Sequence, residues 1–147
     1  EGVEHRLEFV DEIQGVRFIN DSKGTNPDAS IQAVDSMRLP TILIAGGSEK
    51  NSDFTPFIQA FTDKIVAMIV IGETADRIQR TAMKEGFVNV QRADSLKSAV
   101  EKAFAMAKPG YNVLLSPACA SFDMFQNFEH RGEVFKSIVA GLARAKR

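Results

Sequence analysis

A run of apolar residues closing on two glycines, Thr41-Ile42-Leu43-Ile44-Ala45-Gly46-Gly47, constrains this chain more than any other stretch. Ile42, Leu43 and Ile44 carry no polar interruption, which suits a strand covered on both faces, as in the middle of a parallel sheet. Gly46 and Gly47 end it, since glycine lets the backbone turn sharply and approach a neighbour closely. In an open α/β sheet, ligands bind just beyond the carboxyl ends of the strands. Lys50, the one cation in the loop that follows, would then sit at the mouth of a site. The plainer reading is a tight strand-to-helix turn with a solvated lysine, because most such loops hold no ligand.

The rest of the chain alternates around this strand. Residues 6–13 set Leu7 and Phe9 against Glu8 and Val10, as in a half-exposed strand; Gln14-Gly15 supplies a turn, and Val16 to Ile19 returns. Asn26 suits an N-cap with Pro27 at the first helical position, opening a helix that carries Ile31, Val34 and Met37 and stops before Pro40. Phe54, Phe57 or Ile58, Phe61 and Ile65 recur at helical spacing, and Val66 to Ile71 reads as a buried strand ended by Gly72. Ala75, Ile78 and Ala82 mark a helix closed by Gly86, and Val88 to Val90 a short strand. Leu96, Ala99, Val100, Ala103, Phe104 and Ala107 give the cleanest amphipathic pattern. Pro109-Gly110 ends that helix, Val113 to Leu115 is the last strand, and Phe125, Phe128, Phe135, Ile138, Val139 and Leu142 line the final helix.

Parallel strands need crossovers, so this alternation implies an α/β, doubly wound, mostly parallel sheet of about six strands, with helices on both faces and an antiparallel N-terminal edge strand, a Rossmann-like architecture. The 147 residues suit a single domain, 1–147, with no internal repeat or linker. With 18 Lys and Arg spread among 19 Asp and Glu, and a net charge of -1, there is no basic footprint for nucleic acid. One cysteine and two distant histidines give neither an internal disulfide nor a zinc-ligand spacing. The opening residues do not read as a signal peptide, and no apolar stretch reaches the roughly 18 residues of a membrane span, so a soluble cytoplasmic protein is expected.

Chemistry concentrates in three of the loops that follow strands. The first offers Asp21, Ser22, Lys23, Gly24 and Thr25, the second Gly46, Gly47, Ser48 and Lys50, and the fifth Ser116, Cys119 and Ser121. Lysines, hydroxyls and loop N–H groups suit a carboxylate or phosphate. The third and fourth loops, Glu73-Thr74-Ala75-Asp76 and Arg92-Ala93-Asp94-Ser95, read as ordinary caps. Each feature also has a plain reading: Asp21 and Asn26 as turn and cap residues, Lys23 as solvated, Phe122, Phe125 and Phe128 as core, His5 and His130 as structural, and Cys119 as a thiol with no partner base. Neither G-x-G-x-x-G nor G-x-x-x-x-G-K-[ST] occurs, so a dinucleotide fingerprint and a phosphate loop are both missing.

The segments HRLEF, INDSKGTN, IAGG..KNSDF and LLSPACASFDMFQNFEHRGEVF, in this order, closely resemble the C-terminal domain of the Mur ligases that couple D-glutamate to UDP-N-acetylmuramoyl-L-alanine. That resemblance covers the whole chain and implies a three-domain cytoplasmic enzyme of peptidoglycan synthesis. Such an enzyme activates the muramoyl-alanine carboxyl with ATP and Mg2+ as an acyl phosphate and joins it to the amine of D-glutamate. The family's phosphate loop, metal ligands and modified lysine belong to a central domain, so this chain alone is expected to be inactive, with no catalytic residue and no metal site of its own.

Carried across by position, Thr25, Lys50, Ser121, Phe122 and Phe128 resemble the D-glutamate pocket, the two phenylalanines at positions that present backbone N–H groups. Asp21 resembles the residue that reads the ATP ribose, and Arg6 and Lys23 those reaching toward its phosphates, in a site between two domains. Ser48-Glu49 stands where Gly or Asp is common, and Phe122 where Leu is frequent. An Asn-Pro-Arg signature for diamino acids and a His in the first loop, as in folate ligases, are lacking, which favours D-glutamate. Implied partners are D-glutamate, UDP-N-acetylmuramoyl-L-alanine, ATP and the enzyme's own N-terminal and central domains; a monomer is expected, with neither nucleic acid nor membrane. The alternative from another class is a stand-alone flavodoxin-like module that binds a small anion or a partner protein. A receiver-type module would want an acidic cluster at its first and third strand ends, where this chain has mainly Lys and Thr or a lone Glu73.

Overall fold

The computed structural model describes residues 3–49 and 51–146. β1 (Glu8–Ile13) and β2 (Val16–Asn20) form an antiparallel hairpin whose turn holds Gln14 and Gly15 at φ 52° and 83°. Positive φ at both positions lets the turn follow the right-handed twist of the strands. β1 begins two residues later than the alternation suggests: His5 and Leu7 adopt φ 67° and 47°, and Leu7 N–H donates to Asp21 Oδ1 at 3.1 Å. A bulge between Phe9 and Asp11 shifts the pattern again, leaving Phe9 exposed with the Arg17 guanidinium 4.8 Å from its ring centroid.

The order continues α1 (Pro27–Asp35), β3 (Thr41–Gly46), α2 (Thr55–Gln59), β4 (Ile65–Ile71), α3 (Ala75–Lys84), β5 (Val90–Arg92), α4 (Leu96–Met106), β6 (Asn112–Leu115) and α5 (Phe128–Lys146). The strands form one sheet in the order β1-β2-β6-β3-β4-β5, parallel throughout except for the β1–β2 pair. This is the doubly wound α/β arrangement expected from the sequence. β3 is buried along its whole length because its alternate residues enter opposite cores. Leu43 and Ala45 pack with Val34, Phe57 and Ile78 from α1, α2 and α3, whereas Ile42 and Ile44 pack with Val100, Phe135 and Val139 from α4 and α5. Period-two alternation between two covered faces is why the sequence there has no polar break.

Three expected elements move. α2 is only five residues long, and Ile65 opens β4 instead of closing a helix. Phe54, Phe57, Ile58 and Phe61 are all buried, so their spacing reports packing, but Thr62 at φ 49° diverts the chain after the short helix. β5 lies two residues beyond Val88, which is 75% exposed; pairing with β4 selects Val90, Gln91 and Arg92 opposite Met68, Ile69 and Val70. As an edge strand, β5 needs few apolar residues, which conceals it. Finally, α5 starts at Phe128, so Phe125 belongs to the preceding turn. None of Phe122, Phe125 and Phe128 is the deep core that their spacing suggests: Phe122 is 72% exposed, and Phe125 and Phe128 are half-buried.

Candidate functional site

β2, β6 and β3 are neighbours in the middle of the sheet, so the loops at their carboxyl ends emerge side by side. These are the first, fifth and second strand-to-helix loops, the three richest in polar groups. Gly46 and Gly47, at φ 119° and 152°, bring the second loop down onto its neighbours: a Cβ on Gly46 would overlap the Ile71 carbonyl, and one on Gly47 the Ala120 carbonyl. The second and fifth loops are then joined by reciprocal bonds, Ser48 N to Ala120 O at 2.9 Å and Ala120 N to Ser48 O at 3.1 Å, and Phe122 N donates to Ser48 Oγ at 3.2 Å. Arg77 on α3 donates to the carbonyls of Glu49 and Ser52, at 2.6 and 2.8 Å, holding the second loop from the other side. Lys50 lies outside the described residues.

An open cleft of about 660 Å³ runs along the first loop and α1, and five of the residues singled out in the sequence line it: Arg6, Asp21, Lys23, Thr25 and Phe128. Asn26 caps α1 by accepting from Ala29 N at 3.0 Å. Asp21 is buried beneath the loop. Its Oδ1 accepts from Leu7 N, and its Oδ2 accepts at 2.6 Å from Ser116 Oγ, which lies 2.7 Å from Ser30 Oγ. Ser30 Oγ also accepts from Ala118 N at 2.9 Å, so the chain of hydroxyls ties α1 to the fifth loop. Gly24 covers this cluster; a Cβ there would stand 2.7 Å from Ser30 Oγ and 2.9 Å from Asp21 Oδ2. Burial pushes the Asp21 carboxyl above its ordinary value, opposed by the Ser116 and Leu7 hydrogen bonds.

Ser121 and Phe122 stand apart from that cleft, on the fifth loop beside Ser48. Ser121 is 2% exposed, and its Oγ has no hydrogen-bond partner among the described residues. Buried polar atoms are normally satisfied, and two other side-chain oxygens, Asn112 Oδ1 and Asp123 Oδ1, share this state. Cys119 is buried, with its Sγ 3.4 Å from Thr74 Oγ1, and burial pushes the thiol up to about 11, which keeps it protonated at neutral pH.

Several residues take supporting roles that the sequence alone does not assign to them. Arg131 sits one turn into α5, 1% exposed. It donates from Nε to Ser22 Oγ at 2.9 Å, from Nη2 to Ser22 O at 2.7 Å and from Nη1 to Cys119 O at 3.0 Å. Burial lowers its pKa to about 10. His5, read as unremarkable, is buried under the first loop: its carbonyl accepts from Lys23 N at 2.9 Å, and its Nδ1 lies 2.9 Å from Asn20 Nδ2. Since Asn20 Oδ1 accepts from Ser22 N, the amide nitrogen is the atom that faces His5, which makes Nδ1 the acceptor. His130 is exposed and accepts from Gln126 N at 3.1 Å through Nδ1. Thr74 does not cap α3; its hydroxyl accepts from Gly47 N at 3.1 Å, so the third loop braces the second, while Ser95 does cap α4 through Ser98 N at 3.0 Å. Among the described residues, Glu4, His5 and Glu133 could group around a cation, but Lys136 Nζ already lies 2.7 Å from Glu4 and 3.6 Å from Glu133.

Fold and loops together define a class, a doubly wound α/β domain presenting cationic and hydroxyl groups at the carboxyl ends of its central strands. A family profile described as "Mur ligase, glutamate ligase domain" matches residues 5–119, and the chain belongs to that family. It is 56% identical over 145 residues to a UDP-N-acetylmuramoylalanine--D-glutamate ligase of Thermoanaerobacter sp., covering 97% of this chain and 32% of that protein. To the enzyme of the same name from Alkaliphilus oremlandii it is 57% identical over 143 residues, with the same coverage. The chain thus spans about a third of the length of these curated relatives. Its fold matches a murein peptide ligase from Psychrobacter arcticus with a TM-score of 0.68 at 14% identity, covering 98% of this chain and 30% of that one. A folylpolyglutamate synthase from Thermotoga maritima matches with a TM-score of 0.65 at 18% identity, over 95% and 31%. Among the described residues, no helix is long and apolar enough to cross a membrane.

Proposed function

We propose that this chain is the D-glutamate-binding domain, C-terminal in the whole protein, of a cytoplasmic ATP-dependent ligase that joins D-glutamate to UDP-N-acetylmuramoyl-L-alanine during peptidoglycan synthesis. The observation that carries the reading is the buried, unpartnered hydroxyl of Ser121 in the fifth loop, in a family whose profile is that of a glutamate ligase domain. In this account Thr25, Lys50 and Ser121 hold the carboxylates of D-glutamate, with backbone groups of Phe122 and Phe128 closing the pocket. Charge-assisted hydrogen bonds from an ammonium, and donors from hydroxyls, suit that ligand. Arg6 and Lys23 reach toward the phosphates of ATP from the rim of the open cleft, and Asp21, an acceptor with both oxygens already oriented, reads the ribose.

The donor set of the cleft fits part of a nucleotide: two cations and a hydroxyl beside a buried carboxylate. It is a poor cage for a magnesium ion, which takes near-octahedral oxygen ligands, because the one buried carboxylate of the cleft, Asp21, stands beside two cations, Arg6 and Lys23. ATP, when bound, supplies the phosphoryl group that activates the other substrate's carboxyl; this chain's residues orient the nucleotide and the incoming amino acid. The remaining two thirds of the full-length protein supply the phosphate loop and the UDP-sugar site.

Ser121→Ala in the full-length protein tests the reading. A neutral hydrogen bond contributes roughly 0.5 to 1.5 kcal/mol, so the apparent affinity for D-glutamate should weaken by about twofold to tenfold. Because the hydroxyl has no partner among the described residues, the melting temperature should hold or rise. Unchanged use of D-glutamate with a lowered melting temperature would remove the support.

A further inference from the structure

Arg131 presents an unusual arrangement: a fully buried guanidinium whose hydrogen-bond partners are one hydroxyl and two backbone carbonyls. Taking a guanidinium out of water is expensive, and carbonyl partners repay this only with good geometry. The geometry is good, with three bonds between 2.7 and 3.0 Å from the two edges of one planar group. Two of them end on Ser22 in the first loop and one on Cys119 in the fifth. Ser22 Oγ, while accepting from Arg131, donates to Phe128 O at 2.7 Å, so the start of α5 joins the same knot. α5 can lie this close because residue 132 is glycine; a Cβ there would overlap the His5 ring.

We propose that Arg131 is a positioning residue for amino-acid binding, its guanidinium setting the separation of the first and fifth loops. The inference rests on the D-glutamate reading above. Thr25 lies three residues after Ser22, Ser121 two and Phe122 three residues after Cys119, and Phe128 is itself a member of the knot. One side chain therefore ties together the two loops that carry these residues and the start of α5, so a displacement of either loop moves pocket residues two or three positions away. The lowered pKa of Arg131 still leaves it charged at neutral pH, so the clamp stays in place there. A lysine cannot replace it, because an ammonium is a single point of donation and does not reach both carbonyls in the orientation of a planar fork.

The test uses the full-length ligase with saturating ATP and UDP-sugar substrate, comparing wild type, Arg131→Lys, Ser22→Ala and Thr25→Val for KM of D-glutamate, kcat and melting temperature. Arg131→Lys should raise KM for D-glutamate about tenfold or more with kcat falling less than about threefold, the pattern of lost ground-state positioning. Ser22→Ala, which leaves the two Arg131–carbonyl bonds, should raise KM by about twofold to fivefold. A merely structural role would instead lower the melting temperature and the active fraction, so that kcat falls and KM is unchanged. Unchanged KM in Arg131→Lys overturns the proposal, and should that variant not fold, unchanged KM in Ser22→Ala does so. If Thr25→Val also leaves KM unchanged, or wild type does not use D-glutamate, the underlying functional reading has failed; a raised KM in Thr25→Val alone leaves that reading intact and removes only Arg131 from it.

Discussion

The Asp21 carboxyl is raised because burial disfavours its charged form more than the Ser116 and Leu7 hydrogen bonds favour it. The native state therefore holds the proton more tightly than the unfolded chain, and the stability attached to Asp21 is present below the ordinary aspartate range and lost as pH rises through the folded value. Asp21→Asn, whose amide remains neutral, should show no such loss. In thermal melts of the 147-residue chain from acid to neutral pH, the difference in melting temperature, variant minus wild type, should grow as pH rises; a difference independent of pH would contradict the assignment. At the same scale, Lys50→Ala in the full-length protein should weaken D-glutamate use by about tenfold to 150-fold, since a hydrogen bond to a charged group contributes roughly 1.5 to 3 kcal/mol. Its melting temperature should barely move, as for a surface site within about ±0.5 kcal/mol. An unchanged affinity would make Lys50 an ordinary solvated loop residue.

At the scale of elements, the loops depend on how β3 ends. Gly46→Ala places a Cβ into the Ile71 carbonyl at positive φ and should cost at least about 1 to 3 kcal/mol in denaturant unfolding, the range for strained backbone. Gly86, also at positive φ but with nothing within 4 Å of its Cβ position, should lose only about 1 kcal/mol as alanine. Similar costs at the two positions would mean that the contact between β3 and β4 is looser than described. Asn26→Ala, removing the cap on α1 and loosening the loop that carries Lys23 and Thr25, should cost about 0.5 to 2 kcal/mol. α1 and α4 were legible in the sequence because their signals are local, a cap and Pro27 in one and a repeated apolar face in the other. The sequence pattern puts β5 two residues early and makes α2 too long because their bounds are set by neighbours: pairing with Met68 decides where β5 runs, and the Thr62 turn diverts the chain after α2. The role of Arg131 is not legible for the same reason: it lies within the resembling segment, but its partners are 109 and 12 residues away in sequence.

For the whole molecule, strand order is what turns a list of polar loops into a candidate site. The sequence marks the first, second and fifth loops as chemically rich, but only the placement of β6 between β2 and β3 makes them adjacent. It also divides the predicted residues: Arg6, Asp21, Lys23, Thr25 and Phe128 share one cleft, while Ser121 and Phe122 lie outside its lining, on the fifth loop where Phe122 N donates to Ser48 Oγ. On the proposed reading the chain holds half of a nucleotide site and one amino-acid pocket, which do not make a ligase. The isolated chain, given ATP, magnesium and D-glutamate, should release no phosphate above background. The most direct measurement is a titration of the isotope-labelled 147-residue chain with D-glutamate and, separately, L-glutamate, following every backbone amide by NMR. A ligand of about ten non-hydrogen atoms carrying two carboxylates should bind on the order of millimolar or weaker. The account predicts that D-glutamate shifts the amides of Thr25, Ser121, Phe122 and Phe128 and those flanking Lys50, with L-glutamate weaker at the same positions. Shifts centred instead on Glu73 and Asp94, or equal responses to the two enantiomers, would contradict it.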